Sequence, residues 1–130
     1  SGYFWLGGTF VRPDRVTGSV AAMDPATGKK AGQLSLPYAV YSGVTSTAGG
    51  VLFTTTLDGT IYALDDETMK PLWSFNTGSL SSAPPMTYSV NGKQYVAVLI
   101  GGSTIAQGVL SKAPETKDIQ NTSMLYVFSL

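Results

Sequence analysis

Gly59-Thr-Ile-Tyr-Ala-Leu-Asp-Asp-Glu-Thr-Met-Lys-Pro-Leu-Trp73 decides how the rest of this sequence is read. Ile61 to Asp65 has the apolar, β-favouring side chains of a short buried strand. A polar turn over Asp65 to Lys70 follows, and Leu72-Trp73-Ser-Phe75 begins the next strand. Forty-one residues upstream stands a twin, Gly18-Ser-Val-Ala-Ala-Met-Asp-Pro-Ala-Thr-Gly-Lys-Lys30, in which Ala22, Asp24 and Thr27 match Ala63, Asp65 and Thr68. Strand pairs recurring every ~40–50 residues are the signature of β-propeller blades. The chain is expected to be an all-β run of such blades, with its function where blades meet.

Working outward, Tyr3 to Phe10 reads as a strand and Val11 to Thr17 as a charged loop, with further strands at 19–23 and 32–36. The next unit has strands A to D, innermost to outermost, at 43–47, 51–55, 61–65 and 72–76. Asp58-Gly59 is expected to supply positive φ angles to the tight B-to-C turn. A Gly/Ser/Pro link over 77–85 leads to strands at 86–90 and 94–100 joined by Asn91-Gly92, a strong short hairpin signal. A polar loop is expected over 101–122 and a last strand over 123–130. This predicts an incomplete blade (1–36), a complete blade (37–76) and a closing blade lacking its outer strand (77–130). Blade sheets bury both faces, so such an arc would expose two apolar faces unless further blades covered them. A small autonomous β-sandwich of the same strands is the alternative, although it has no need of the repeat.

Composition narrows the chemistry. The 130 residues suit one domain, and eight basic against eight acidic residues leave no field to attract nucleic acid or an anionic membrane. The charged fraction of 12% is low, as expected of a chain that hides much of its surface. Cysteine and histidine are absent, which removes disulfides, thiol nucleophiles, Cys/His zinc sites and His-based triads. No apolar run is long enough to span a membrane. Ser1 directly precedes an apolar run, with no signal peptide, so the start reads as a cut.

In the repeated turn, Asp24 and Asp65 are expected to accept hydrogen bonds from the following backbone, with Thr27 and Thr68 assisting. They read as turn staples rather than as acids or calcium ligands. Gly28 suits a left-handed position, and Met69 departs from that pattern. Trp73 is placed to pack between blades, whereas Gly32 occupies its position in the first unit, so that seam is expected to lack an anchor.

These residues carry a resemblance. Ala-x-Asp-x-x-Thr-Gly-Lys-x-x-Trp resembles the tryptophan-docking motif of quinoprotein alcohol dehydrogenases, eight-bladed propellers that bind pyrroloquinoline quinone (PQQ). The likeness extends through Tyr38-Ala-Val-Tyr-Ser-Gly-Val-Thr-Ser-Thr-Ala-Gly-Gly-Val-Leu-Phe53, Leu57-Asp-Gly59 and Pro85-Met-Thr-Tyr88. It continues through Gly92-Lys-Gln-Tyr-Val-Ala-Val98, Gly101-Gly102 and Val127-Phe-Ser-Leu130. The chain is thus similar to the last two and a half blades or so of the methanol/ethanol dehydrogenase type.

The resemblance implies alcohol oxidation by hydride transfer to the quinone. A carboxylate base takes the hydroxyl proton, and a calcium or lanthanide ion polarises the quinone carbonyl. The base, the metal ligands and a vicinal-cysteine ring would all lie in earlier blades, outside this chain. It further implies a periplasmic location and a cytochrome c or quinone as electron acceptor. Propeller geometry sends links before strand A and B-to-C loops to one face, the face that holds PQQ in the family.

Tyr41, Gly101, Gly102 and Ser103 are the candidate cofactor-binding residues. Tyr41 and Ser103 stand where the family has tryptophans, while the glycines would permit close backbone approach. Tyr41 as a plug of the axial channel and the glycines as a bulge is the other reading. The Arg12-Pro-Asp-Arg15 loop belongs to the same face, where it reads as a solvated loop or as one that rims the funnel or contacts a partner, and the long 103–122 loop is a candidate for shaping substrate access. Two rival classes stay open: a non-catalytic propeller acting as a protein-binding scaffold or sensor, and a relative that oxidises sugars or polyols.

Overall fold

The computed structural model describes residues 14–129, so the strand expected over Tyr3 to Phe10 lies outside the described residues, as do Arg12 and Pro13. Three antiparallel sheets follow one another along the chain. The first pairs β1 (Gly18–Met23) with β2 (Lys30–Leu36). The second is a four-strand meander of β3 (Thr45–Ser46), β4 (Val51–Thr55), β5 (Thr60–Asp65) and β6 (Pro71–Asn76). The third joins β7 (Met86–Val90), β8 (Lys93–Ile100) and β9 (Met124–Ser129).

Turn chemistry fixes the hairpins. Asn91 and Gly92 have φ of 51° and 76°, as a two-residue loop with left-handed residues requires. At the other hairpin only Gly59 is left-handed, with φ 82°. Gly59 N–H donates to the Thr56 carbonyl at 2.9 Å, so one turn plus one left-handed residue reverses the chain. Asp58 does not share the positive φ expected of it; its carboxylate is instead a buried acceptor. Thr56 and Thr60 hydroxyls donate to it at 2.6 Å each, and the Asn76 amide at 3.0 Å.

The sheets stack through their alternating faces. Val20, Leu36, Leu52, Leu64 and Met69 close the seam between the first and second sheets. Phe53, Ile61, Ala63, Val96, Val98 and Ile100 close the next. Register places Phe53, Ala63 and Trp73 side by side on that second seam. Trp73 meets Phe128 edge-on at 5.1 Å, a favoured aromatic geometry.

The seam expected to lack an anchor has one. Met69 adopts φ 59°, the left-handed conformation that Gly28 (φ 68°) holds in the twin turn. Its side chain is 2% exposed, and its Cγ lies 3.0 Å from where a Cβ on Gly32 would stand. The side chain missing at Gly32 is thus replaced from across the seam.

Both turns are stapled. Asp24 accepts from Ala26 N–H at 2.9 Å and the Thr27 hydroxyl at 2.6 Å, and Asp65 from Thr68 N–H at 2.7 Å and the Thr68 hydroxyl at 2.6 Å. The threonine hydroxyls are the main cause that holds each carboxyl below its ordinary value of 3.8. A carboxyl lowered by folding stabilises the fold above its unfolded titration point, and that contribution disappears as pH falls through the folded value. In Thr68→Val the Asp65 titration, followed by carboxyl NMR, should move up toward 3.8 while that of Asp24 stays in place. An unmoved Asp65 midpoint would contradict the staple.

Residues 101–122, expected to form a polar loop, contain a helix, α1 (Thr104–Leu110), and a single 3-10 turn (Pro114–Thr116). Ser103 caps α1, its Oγ accepting from Ala106 N–H at 3.3 Å. Ala106 and Leu110, four residues apart, form the buried stripe.

Candidate functional site

The site is assembled from links rather than strands. Leu57 N–H donates to the Ala39 carbonyl at 2.9 Å, Ser81 N–H to Leu57 at 3.3 Å, and Gly101 N–H to Leu80 at 2.8 Å. Links before the inner strands and the B-to-C turn are thereby laced into one ridge crossing two sheets. A set of hydroxyls runs beside it. Ser42 Oγ donates to the Thr55 carbonyl at 2.9 Å, and the Thr55 and Ser81 hydroxyls, both fully buried, pair at 2.9 Å. Ser81 in turn bridges to Gly101. This ladder connects the neighbour of Tyr41 to the glycine pair, bringing two sequence-distant candidates to one ridge.

Tyr41 is 49% exposed. Among the described residues its hydroxyl has no hydrogen-bond partner, so both the ring and the phenol are available to a ligand. The glycines are placed differently. The Asn121 side chain clasps Gly102 twice, accepting from its N–H at 2.9 Å and donating to its carbonyl at 2.7 Å. A Cβ on Gly102 would stand 2.8 Å from Leu80 Cβ, so the packing of Leu80 by itself demands glycine there. Gly101, at φ 145°, accepts from Ser82 Oγ at 3.2 Å. Ser103 is committed as the cap of α1. Tyr41 therefore has the unused polar group, whereas Gly101, Gly102 and Ser103 are held by contacts within the chain.

α1 lies on the same ridge, with Ala106 and Leu110 packed against Ala39, Leu57 and Leu80. Glu115, beyond it, accepts from the Tyr38 hydroxyl at 3.2 Å and pairs with Arg15 at 3.4 Å. Burial, reinforced by this carboxylate, raises the Tyr38 pKa. The Glu115 carboxyl is lowered, first by its own backbone N–H and then by Tyr38 and Arg15. Asp14 is exposed. Reading the sequence did not single out Asn121, Tyr38 or the Thr55–Ser81 pair. Their partners are far away in the chain, and no local pattern marks them. The Ser103 cap followed by apolar Ile105, Ala106, Val109 and Leu110 was the available signal for α1.

Among the described residues no three acidic side chains gather as metal ligands, and no helix is long and apolar enough to cross a membrane. The arrangement offers an aromatic wall and a rigid, internally satisfied backbone.

Residues 11–96 match the family described as PQQ: glucose/ethanol/alcohol dehydrogenase, beta-propeller domain. The quinoprotein alcohol dehydrogenase PedE of Pseudomonas putida is 36% identical over 118 residues, covering 90% of this chain and 19% of that protein. Methanol dehydrogenase [cytochrome c] subunit 1 of Paracoccus denitrificans is 39% identical over 84 residues, 65% of this chain and 13% of that protein. Among solved structures, a europium-containing methanol dehydrogenase superposes with a TM-score of 0.72 at 31% identity, over 86% of this chain and 23% of the other. The chain thus spans about a fifth of the length of such relatives. Its stacked antiparallel sheets are those of a β-propeller, and the chain belongs to the PQQ-dependent glucose/ethanol/alcohol dehydrogenase family.

Proposed function

We propose that this chain is the C-terminal segment of a PQQ-dependent alcohol dehydrogenase. Its three sheets would be an incomplete, a complete and a closing blade of an eight-bladed propeller that oxidises a primary alcohol or polyol. The observation that carries this reading is Tyr41, half-exposed with an unused hydroxyl, on a ridge laced by backbone hydrogen bonds to the Gly101-Gly102 pair. A flat, carboxylated quinone suits that arrangement, because an aromatic edge and one phenol donor meet a polar ring system without rearrangement. PQQ, when bound, supplies the two-electron oxidising power that no side chain here possesses.

The roles of this chain's own residues follow. Tyr41 would contact the cofactor by ring and hydroxyl, and Gly101, Gly102 and Ser103 would hold the adjacent wall. Pre-organisation is their contribution, since every backbone polar group of Gly102 is already satisfied. The catalytic base and the ligands of a calcium or lanthanide ion belong to the remaining blades. The name of the Paracoccus relative supports a cytochrome c as electron acceptor; a quinone acceptor and a periplasmic location are what the family resemblance implies.

Incubating the intact protein with PQQ and calcium, then removing free cofactor, should leave a bound quinone absorbance. Tyr41→Ala should weaken PQQ retention about tenfold, the sum of an aromatic contact and a hydrogen bond, and Tyr41→Phe by a smaller factor. A protein that retains no quinone under these conditions overturns the reading and favours a protein-binding propeller.

A further inference from the structure

Residues 103–122 have the anatomy of a hinged strap. At the neck, the two hydrogen bonds between Asn121 and Gly102 draw the ends together, as in a compact Ω-loop. Ser79 reinforces the neck, its Oγ accepting from Thr122 N–H at 2.9 Å. The body is seated by Ala106 and Leu110 on Ala39, Leu57 and Leu80. Thr116, 6% exposed, ties the body to itself by donating to the Leu110 and Ala113 carbonyls.

The tip is different. Its only side-chain bonds to the rest of the described chain run through Glu115, to Tyr38 and Arg15. The ion pair is exposed, with Arg15 and Glu115 side chains at 59% and 47%, while Tyr38 is partly buried; exposed ion pairs are weak and screened by salt. Ala113 and Thr116, on either side of Glu115, are buried and Ile119 packs on the same cluster, so the exposed Glu115 contacts are the weakest part of the strap's hold. In crossing from the third sheet to the link ahead of the second, the strap passes over Ala39 and reaches Tyr38, within three residues of Tyr41.

We propose that this strap is a size-limiting gate beside Tyr41, and that Glu115 is the positioning residue that latches its tip. The proposal rests on Tyr41 facing a small-molecule site as argued above; the latch itself does not depend on what that molecule is. Glu115 touches no reacting atom, and its effect on access is exerted through the strap. Bulky ligands would enter when the tip lifts, small ones with the tip latched.

Two measurements on the intact protein separate the latch from the chemistry. Amide hydrogen exchange over 112–119 should rise about three- to tenfold in Glu115→Ala, as expected for the loss of one weak ion pair and one hydrogen bond. Exchange in β5 and β8 should not change, and Glu115→Gln, whose amide oxygen still accepts from Tyr38, should fall between. The second measurement places a thiol at the site by Tyr41→Cys and compares labelling by iodoacetamide and by a bulky maleimide, read by peptide mass. Adding Glu115→Ala should raise the bulky-to-small rate ratio by a similar factor. Unchanged exchange overturns the latch; raised exchange with an unchanged labelling ratio overturns the gate. Neither readout needs PQQ, so a protein that fails to retain the quinone refutes the enzymatic reading and leaves the latch and the labelling ratio to be judged by themselves.

Discussion

Among the described residues Gly59→Ala should be the most damaging single-methyl change, costing more than about 4 kcal/mol and abolishing one cooperative unfolding transition. Two effects coincide at this position. The backbone sits at φ 82°, where an L side chain costs about 1–2 kcal/mol. A Cβ there would also overlap the carbonyl oxygen of Ser79, a backbone atom with no rotamer to escape into. The link cannot retreat cheaply. Thr77 donates to the Gly59 carbonyl through both its N–H at 3.1 Å and its hydroxyl at 3.0 Å, and Ser81 carries the ridge bonds to Leu57 and Thr55. Displacing 77–81 would therefore leave several buried polar groups unpaired, each costing about 1–3 kcal/mol.

Gly92→Ala is the control. It has φ 76° but no atom within 4 Å of the added methyl, so only the conformational cost of about 1 kcal/mol remains. Urea unfolding of the intact variants measures the difference. Equal losses in the two would mean that the close approach of the Ser79 carbonyl does not constrain this hairpin.

The same contrast separates what the sequence makes legible from what it hides. Hairpins written in local chemistry, Asn91-Gly92 and Asp58-Gly59, are found where the turn residues place them, because left-handed φ is a property of one residue. The twin Asp-to-Thr turns are equally local. The 101–122 segment misled because its polar residues, Gln107, Lys112, Glu115 and Lys117, outnumber the apolar stripe that seats α1. At the candidate site, Tyr41 and Gly101-Gly102 were reached by likeness to a family, and the structure links them by the Ser42–Thr55–Ser81 ladder. The requirement for glycine at 102 comes from Leu80 in another link, and the clasp on it from Asn121 across the strap. No window of neighbouring residues contains either fact. A one-to-one comparison of repeats failed at Gly32 for a related reason: it aligns equivalent positions, while a seam is filled by whichever sheet has volume to offer.

That exchange across the seam yields the second large prediction, a pair of substitutions that should be worse apart than together. Gly32→Trp alone restores the side chain that the second repeat carries at Trp73, but its Cβ would lie 3.0 Å from Met69 Cγ, leaving no room for an indole. Overpacking of this kind costs about 1–3 kcal/mol or more. Met69→Gly alone relaxes the left-handed backbone, as Gly28 does in the twin, yet empties a slot that a 2%-exposed side chain now fills. Loss of a buried methionine costs about 2–5 kcal/mol, well above the relief of order 1 kcal/mol from the backbone. The double variant rebuilds the first seam in the image of the second, with glycine in the turn and tryptophan on the outer strand. Its destabilisation should fall below the sum of the two by about 1–3 kcal/mol or more, the range of coupling between residues in direct contact. Chemical denaturation of the two singles, the double and the parent closes the cycle. Strict additivity would mean that Met69 and Gly32 do not share one space. Coupling of the expected sign would show that the second sheet anchors the first through Met69, the counterpart of the contact by which its Trp73 meets Phe128 of the third.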